Sequence, residues 1–270
     1  MMRKFLCAVF IFLGAYAASA QFTLFNWVRY KNTPENLQPY LQPIGLSFQN
    51  LTKPDNRLDT SKLQAFTVSR YGMRDIVTLD IETWSYAKDS LNETIHRYIN
   101  AVDIFRSLNN HSLAGFYAAP PYQRYSWKNL DDSVRYKKWQ AVNDSLKDFA
   151  GKVDIFFPSA YCRDTSTANW EKYIKANVSE IRTKYSKTKP IYFYIDPQYI
   201  VKGTVDGVVN HQFIDKVRWR KLLELVYKYA NGAVIWTSNK DVDNKIIEWN
   251  PNMEWWQVTR QFMKEKGLIK

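Results

Sequence analysis

The chain is 270 residues long, 46% hydrophobic and 16% aromatic, and carries a formal net charge of +12. That hydrophobic share is ample for a packed core and excludes a disordered or collagen-like chain. The 38 Lys and Arg are scattered and not gathered in one arm, which argues against a nucleic-acid tail and for an anionic partner drawn in by long-range attraction.

The first element in chain order is a targeting segment. Arg3 and Lys4 precede a mostly apolar run, Phe5 to Tyr16, and Ala18-Ser19-Ala20 gives a small-x-small cleavage pattern. The run is too short to span a bilayer comfortably. The expectation is a signal peptide over 1–20 and a secreted chain over 21–270, read as a single domain with no membrane span. Cys7 leaves with that segment, so Cys162 has no partner for an intramolecular disulfide. A buried thiol is expected there, ahead of a reactive thiol or an intermolecular bridge. Five N-x-[ST] sequons, at Asn50, Asn92, Asn110, Asn143 and Asn177, are glycosylation candidates.

Strand-like runs follow at Thr23–Val28, Gly45–Phe48, Ala65–Ser69, Asp75–Glu82, Leu113–Ala118, Val153–Phe157, Ile191–Ile195 and Ala233–Trp236. Helical spacing fills Leu91–Leu108, Asp131–Phe149, Asn169–Tyr185 and Asp215–Tyr229. Strands alternating with helices predict βαβ units and a parallel sheet. At this length the choice lies between a (β/α) barrel and a doubly wound sheet. No G-x-G-x-x-G follows the first strand and no G-x-x-x-x-G-K-[ST] occurs, so the usual reason for a nucleotide-binding sheet is missing. The predicted fold is α/β, a distorted (β/α) TIM-type barrel.

Several strand runs end in acids or aromatics: Asp80, Glu82 and Trp84; Tyr117 and Tyr122; Tyr161; Tyr194 and Asp196; Trp236. Barrel active sites form at the carboxyl ends of the strands, and acids with aromatics on one rim suit a carbohydrate cleft. His96, His111 and His211 are isolated and not at ligand spacing, so no metal or other cofactor is expected.

The sharpest signal is VTLDIETW, Val77 to Trp84. Alternation puts Ile76, Thr78, Asp80 and Glu82 on one face and Val77, Leu79 and Ile81 on the other. Two carboxyls on one face do not both ionise cheaply, so the more enclosed one is held protonated. Glycoside hydrolysis needs such an acid, and a retaining enzyme normally places its nucleophilic carboxylate about 5 Å away on another element. Here the second acid is two residues along, which suits attack by the substrate's own 2-acetamido group. A solvated strand end, paired with Arg74 or Arg124, is the plain alternative.

Taken together, LDIETW, LAGFYAAPPYQRYSW, DIFFPSAY, KPIYFYIDPQY, NGAVIWTS and FTLFNWVRYKNTPEN resemble segments of the hyaluronidase family of glycoside hydrolases, in order from about Phe22 to Ser238. The resemblance implies a secreted endo-acting enzyme that cleaves N-acetylhexosamine linkages with retention, its partner a polysaccharide and most simply an anionic glycosaminoglycan. By position it makes Glu82 the proton donor and Asp80 the holder of the acetamido group. It places Tyr161 and Trp236 around the sugar and Trp84 at the close of the acid strand, and the strand-end pattern adds Tyr117 and Tyr194 as substrate-binding candidates. In the Gly115–Trp127 segment an ungapped match puts Tyr125 and Gln123 on two family tyrosines, with Tyr122 replacing Gln123 after a small shift. The family's cysteine framework is absent. A non-catalytic sugar-binding barrel and a chitinase- or lysozyme-like hydrolase are the alternatives.

Overall fold

A computed structural model describes residues 22–47, 51–123 and 131–269. A ring of parallel strands forms its centre. In chain order the strands are β1 (Thr23–Trp27), β2 (Gln42–Pro43), β3 (Gly45–Leu46), β4 (Ile76–Leu79), β5 (Leu113–Phe116), β6 (Tyr192–Ile195), β7 (Thr204–Val205), β8 (Val208–Val209) and β9 (Gly232–Trp236). β2 and β3 are the halves of one stave broken at Ile44, the first pairing with β1 and the second with β4. β4 pairs with β5, and β6 with β9, which pairs in turn with β1. Parallel bridges Tyr117↔Phe157, Phe156↔Ile191 and Ser159↔Tyr194 insert one more stave between β5 and β6. The described ring therefore closes on seven staves and is a distorted (β/α) barrel. β7 and β8 form a hairpin after β6. Its Asp206-Gly207 turn has both φ values positive, as a two-residue turn matched to strand twist requires.

Side-chain alternation divides the core in two. Phe25, Ile44, Leu46, Ile155, Phe157, Tyr192, Tyr194 and Val234 fill the inside of the ring. Leu24, Val77, Leu79, Phe116, Phe156, Phe193 and Ile235 face the helices. These helices are α1 (Thr60–Thr67), α2 (Leu91–Leu108), α3 (Ser133–Ser145), α4 (Lys147–Lys152), α5 (Thr167–Glu180), α6 (Lys216–Tyr229) and α7 (Glu254–Glu265). α5 runs on into a π-helical turn, Ile181–Tyr185. None of the described helices is long and apolar enough to cross a membrane.

One expected strand is wrong. Ala65–Ser69 is not extended: its first residues finish α1, whose N-terminus is capped by the Asp59 side chain accepting from the Lys62 amide at 3.1 Å. The Ala-Phe-Thr-Val run looked β-like, but the cap and the Leu63/Thr67 stripe four residues apart made it a helix. Helix α7 has the opposite history. Trp255, Trp256, Thr259, Phe262 and Met263 recur at helical spacing and are buried, a pattern that the sequence reading left unused. Cys162 is a free, fully buried thiol.

Of the sequons, Asn92 and Asn110 are exposed and Asn50 lies outside the described residues. Asn143 and Asn177 are buried within α3 and α5, their amides bonded to Glu180 and to the Tyr173 carbonyl. That placement leaves no solvent face for a glycan.

The seam between β1 and β9 depends on Gly232, where an added Cβ would stand 1.9 Å from the Thr23 carbonyl oxygen. Gly232→Ala must push the two strands apart and is expected to cost about 3 kcal/mol. Urea unfolding checks this, and a loss under about 1 kcal/mol would contradict so tight a seam.

Candidate functional site

Strand β4 ends at Leu79, and the two acids stand just beyond it. Val77, Leu79 and Ile81 are buried against the helical layer, which leaves Asp80 and Glu82 on the ring's inner side, where both line one cavity. The segment is held on either side of the pair. The Asp80 amide donates to Ser47 Oγ at 2.7 Å, and the Tyr98 hydroxyl donates to the Ile81 carbonyl at 2.8 Å.

The two carboxyls differ in surroundings. Glu82 is exposed. Asp80 is enclosed, and its Oδ1 is buried without a hydrogen-bond partner among the described residues. Burial first, and then the neighbouring charge of Glu82, pushes the Asp80 carboxyl up to about 7. Below neutral pH, therefore, Asp80 holds a proton that an ordinary aspartate would have released.

Two cavities meet at Glu82. The smaller, ≈ 210 Å³, is lined by Asp80, Glu82, Tyr117, Tyr161, Arg163, Tyr194 and Trp236. The larger, ≈ 470 Å³, is lined by Glu82, Trp84, Tyr86, Tyr98, Tyr117, Tyr122 and Gln123 among others. Glu82 and Tyr117 belong to both. Tyr161 packs between Tyr117 and Trp236, with ring centroids 6.0 and 5.7 Å away. Tyr194 meets Tyr117 edge-on at 4.9 Å, and the Tyr117 hydroxyl shares a 3.3 Å hydrogen bond with Ser159. Burial pushes the Tyr161 and Tyr194 hydroxyls up, so each stays a neutral donor at any physiological pH.

The structure thus gathers Asp80, Glu82, Tyr117, Tyr161, Tyr194 and Trp236 into one pocket. Tyr122 and Gln123 both face the larger cavity, so either register of that segment brings a polar side chain to the cleft. Trp84 reaches the same cavity from the core: it is 3% exposed, its Nε1 donates to the Asn56 carbonyl at 2.7 Å, and its ring packs on Tyr98. Tyr125 lies outside the described residues. Asp196, a strand-end acid like Asp80, is fully buried, accepts the Gln198 amide at 2.9 Å and lines neither cavity. Sequence reasoning missed Arg163 and Tyr86. Tyr86 follows Trp84 by two residues and could have been read with it. Arg163 sits in a loop with no periodicity to mark it.

Chemically, the arrangement offers one carboxyl at a solvent-open junction, a second that resists ionisation, neutral phenol donors and aromatic walls. Among the described residues, no group of three or more His, Cys, Asp or Glu is placed to hold a metal ion.

No protein-family model matches the chain, and no curated protein matches its sequence. Solved structures do resemble its fold. Bee venom hyaluronidase aligns over 77% of this chain and 75% of its own, with 12% identity and a TM-score of 0.52. Bee venom hyaluronidase in complex with a hyaluronic acid tetramer aligns over 91% and 84%, with 14% identity and a TM-score of 0.51. An endo-β-1,4-mannanase from Thermotoga petrophila is a looser likeness: 13% identity, 76% of this chain, 49% of its own and a TM-score of 0.46. At such identities the hyaluronidase likeness establishes the barrel fold.

Proposed function

We propose that the protein is a secreted glycoside hydrolase. It cleaves N-acetylhexosamine linkages in hyaluronan or a related glycosaminoglycan, with retention and with the substrate's acetamido group as nucleophile. The observation that carries this is the placement of Glu82 at the junction of two aromatic-walled cavities, with a second, more enclosed carboxyl, Asp80, lining the smaller one beside it. A scissile bond lying over Glu82 puts one sugar in the smaller cavity and its neighbour in the larger.

The acetamido oxygen attacks the anomeric carbon, and the glycosidic bond breaks as its oxygen takes a proton from Glu82. Water then adds to the anomeric carbon, the acetamido group is released intact, and Glu82 recovers a proton from that water. Asp80 accepts the acetamido N–H. That hydrogen bond favours the ionised form of Asp80 and lowers its pKa, so substrate binding displaces the shared proton towards Glu82. Tyr161 donates to the reacting sugar, and Trp236 supplies an apolar wall. General-acid help and oriented stabilisation each contribute powers of ten in rate.

Glu82→Gln keeps the shape and removes the proton donor. Turnover of hyaluronan or chondroitin is expected to fall about a thousandfold or more with the fold unchanged, read by polymer length and circular dichroism. Wild-type protein that leaves both polymers intact between pH 4 and 8 would rule out this substrate class.

The Asp80 pair also predicts a stability profile. A carboxyl raised in the folded state stabilises the fold at low pH and withdraws that support as pH rises through its folded value, here between about 4 and 7. A full shift of this size carries ~4 kcal/mol, which the part of the Asp80 side chain that still meets solvent reduces although its Oδ1 is buried. Asp80→Asn is therefore expected to be about 2 kcal/mol more stable than wild type at pH 8, and nearly equal at pH 4, while losing turnover. Urea midpoints at the two pH values check it. Equal differences at both would remove the electrostatic account of Asp80.

Passage through a eukaryotic secretory pathway should leave glycan on Asn92 and Asn110 and none on Asn143 or Asn177. Peptide mapping by mass spectrometry reads this directly, and a glycan on Asn143 would contradict the packing of α3.

A further inference from the structure

The split stave opens a third cavity that the proposed chemistry does not use. β1 pairs with β2 only as far as Asn26↔Pro43, while β3 pairs with β4. At this break a space of ≈ 220 Å³ is lined by Trp27, Arg29, Glu35, Arg70, Tyr71 and Arg74 among others. Three guanidinium groups thus border one small cavity, against a single carboxylate. That carboxylate, Glu35, is engaged by Arg70 at 3.1 Å, and Arg70 lies over the Tyr71 ring at 4.8 Å. Arg74 is half-buried, and its Nε is buried with no hydrogen-bond partner among the described residues. That Nε–H is a buried donor whose desolvation stays uncompensated until an acceptor meets it.

The cavity also adjoins the acid pocket. Arg29 lies over the Trp236 ring at 5.8 Å, and Trp236 lines the smaller cavity beside Asp80. Trp27 stands in register with Trp236 across the β1–β9 seam and meets Tyr71 edge-on at 5.8 Å. A sugar chain leaving the acid pocket over Trp236 arrives at aromatic rings edged with arginines.

We propose that this cavity is an anion-reading subsite that takes the carboxylate or sulfate ester of a sugar beyond the acid pocket, with Arg74 as its principal contact and Arg29 and Arg70 beside it. Planar guanidinium groups pair bidentately with such oxyanions. The subsite rests on the polysaccharide reading given above and adds that selection for charge is made on the β1 side of the cleft.

The test is titration calorimetry on the full chain as Glu82→Gln, which prevents turnover. The probes are a hyaluronan tetrasaccharide, a chondroitin sulfate tetrasaccharide and neutral chitotetraose. Adding Arg74→Gln is expected to weaken binding of one or both acidic probes at least tenfold while leaving chitotetraose within twofold. The acidic probe that loses more identifies carboxylate or sulfate as the group read. Arg70→Gln, at an exposed side chain, should give a smaller loss of the same selectivity and guards against misfolding by the Arg74 variant. Equal loss on all three probes from both variants, or no loss on either acid, overturns the subsite while the cleft reading stands. Failure of the parent protein to bind any of the three overturns both.

Discussion

A strand turns successive side chains to opposite faces, and the whole site depends on that rule holding past the end of β4. Val77, Leu79 and Ile81 are anchored among the helices, so Asp80 and Glu82 have only the inside of the ring to occupy. Once both are there, depth separates them. The first stands lower in the ring, loses water and resists ionisation, and the second reaches the open rim. One backbone periodicity therefore yields two carboxyls of one sign and unequal character.

The ring sets the surroundings of that pair. Seven staves leave a narrow interior, filled below the acids by Phe25, Ile155, Phe157 and Tyr192. The layer above cannot be filled with aliphatics and remain a site, so tyrosines and a tryptophan take over: Tyr117, Tyr161, Tyr194 and Trp236. The same ring is imperfect at Ile44, where the second stave changes partner. A perfect stave would leave no space for the arginines there. Distortion of the barrel wall and the extra cavity are thus one structural fact.

Much of this was legible in the residues. Alternation within VTLDIETW fixed the faces of both acids, and helical spacing located α2, α3, α5 and α6. The strand-end aromatics converge because parallel strands bring all their carboxyl ends to one rim. What stayed hidden depends on tertiary geometry. Nothing in Ala65–Ser69 announced that the Asp59 cap would win over β-branched character. Removing that strand from the expected set is also what turns an eight-strand reading into a ring of seven. Which acid lies deeper is a matter of enclosure, and enclosure has no local signature. Arg163 and the arginine cavity lie on loops and a broken stave, where period and spacing carry no information. The buried Asn143 and Asn177 make the same point, since a sequon reports three residues and not the helix packed over them.

The central claim is that neither carboxyl attacks the sugar and that the acetamido group does. Comparing hydrolysis of an N-acetylated substrate with that of its de-N-acetylated or 2-hydroxy counterpart tests it most directly. Binding of each is measured in parallel, so that lost affinity is not mistaken for lost chemistry. The account predicts that turnover falls by about a thousandfold or more when the acetamido group is removed. Comparable turnover of both, or a covalent sugar adduct on Asp80 or Glu82 found by mass spectrometry, would contradict it.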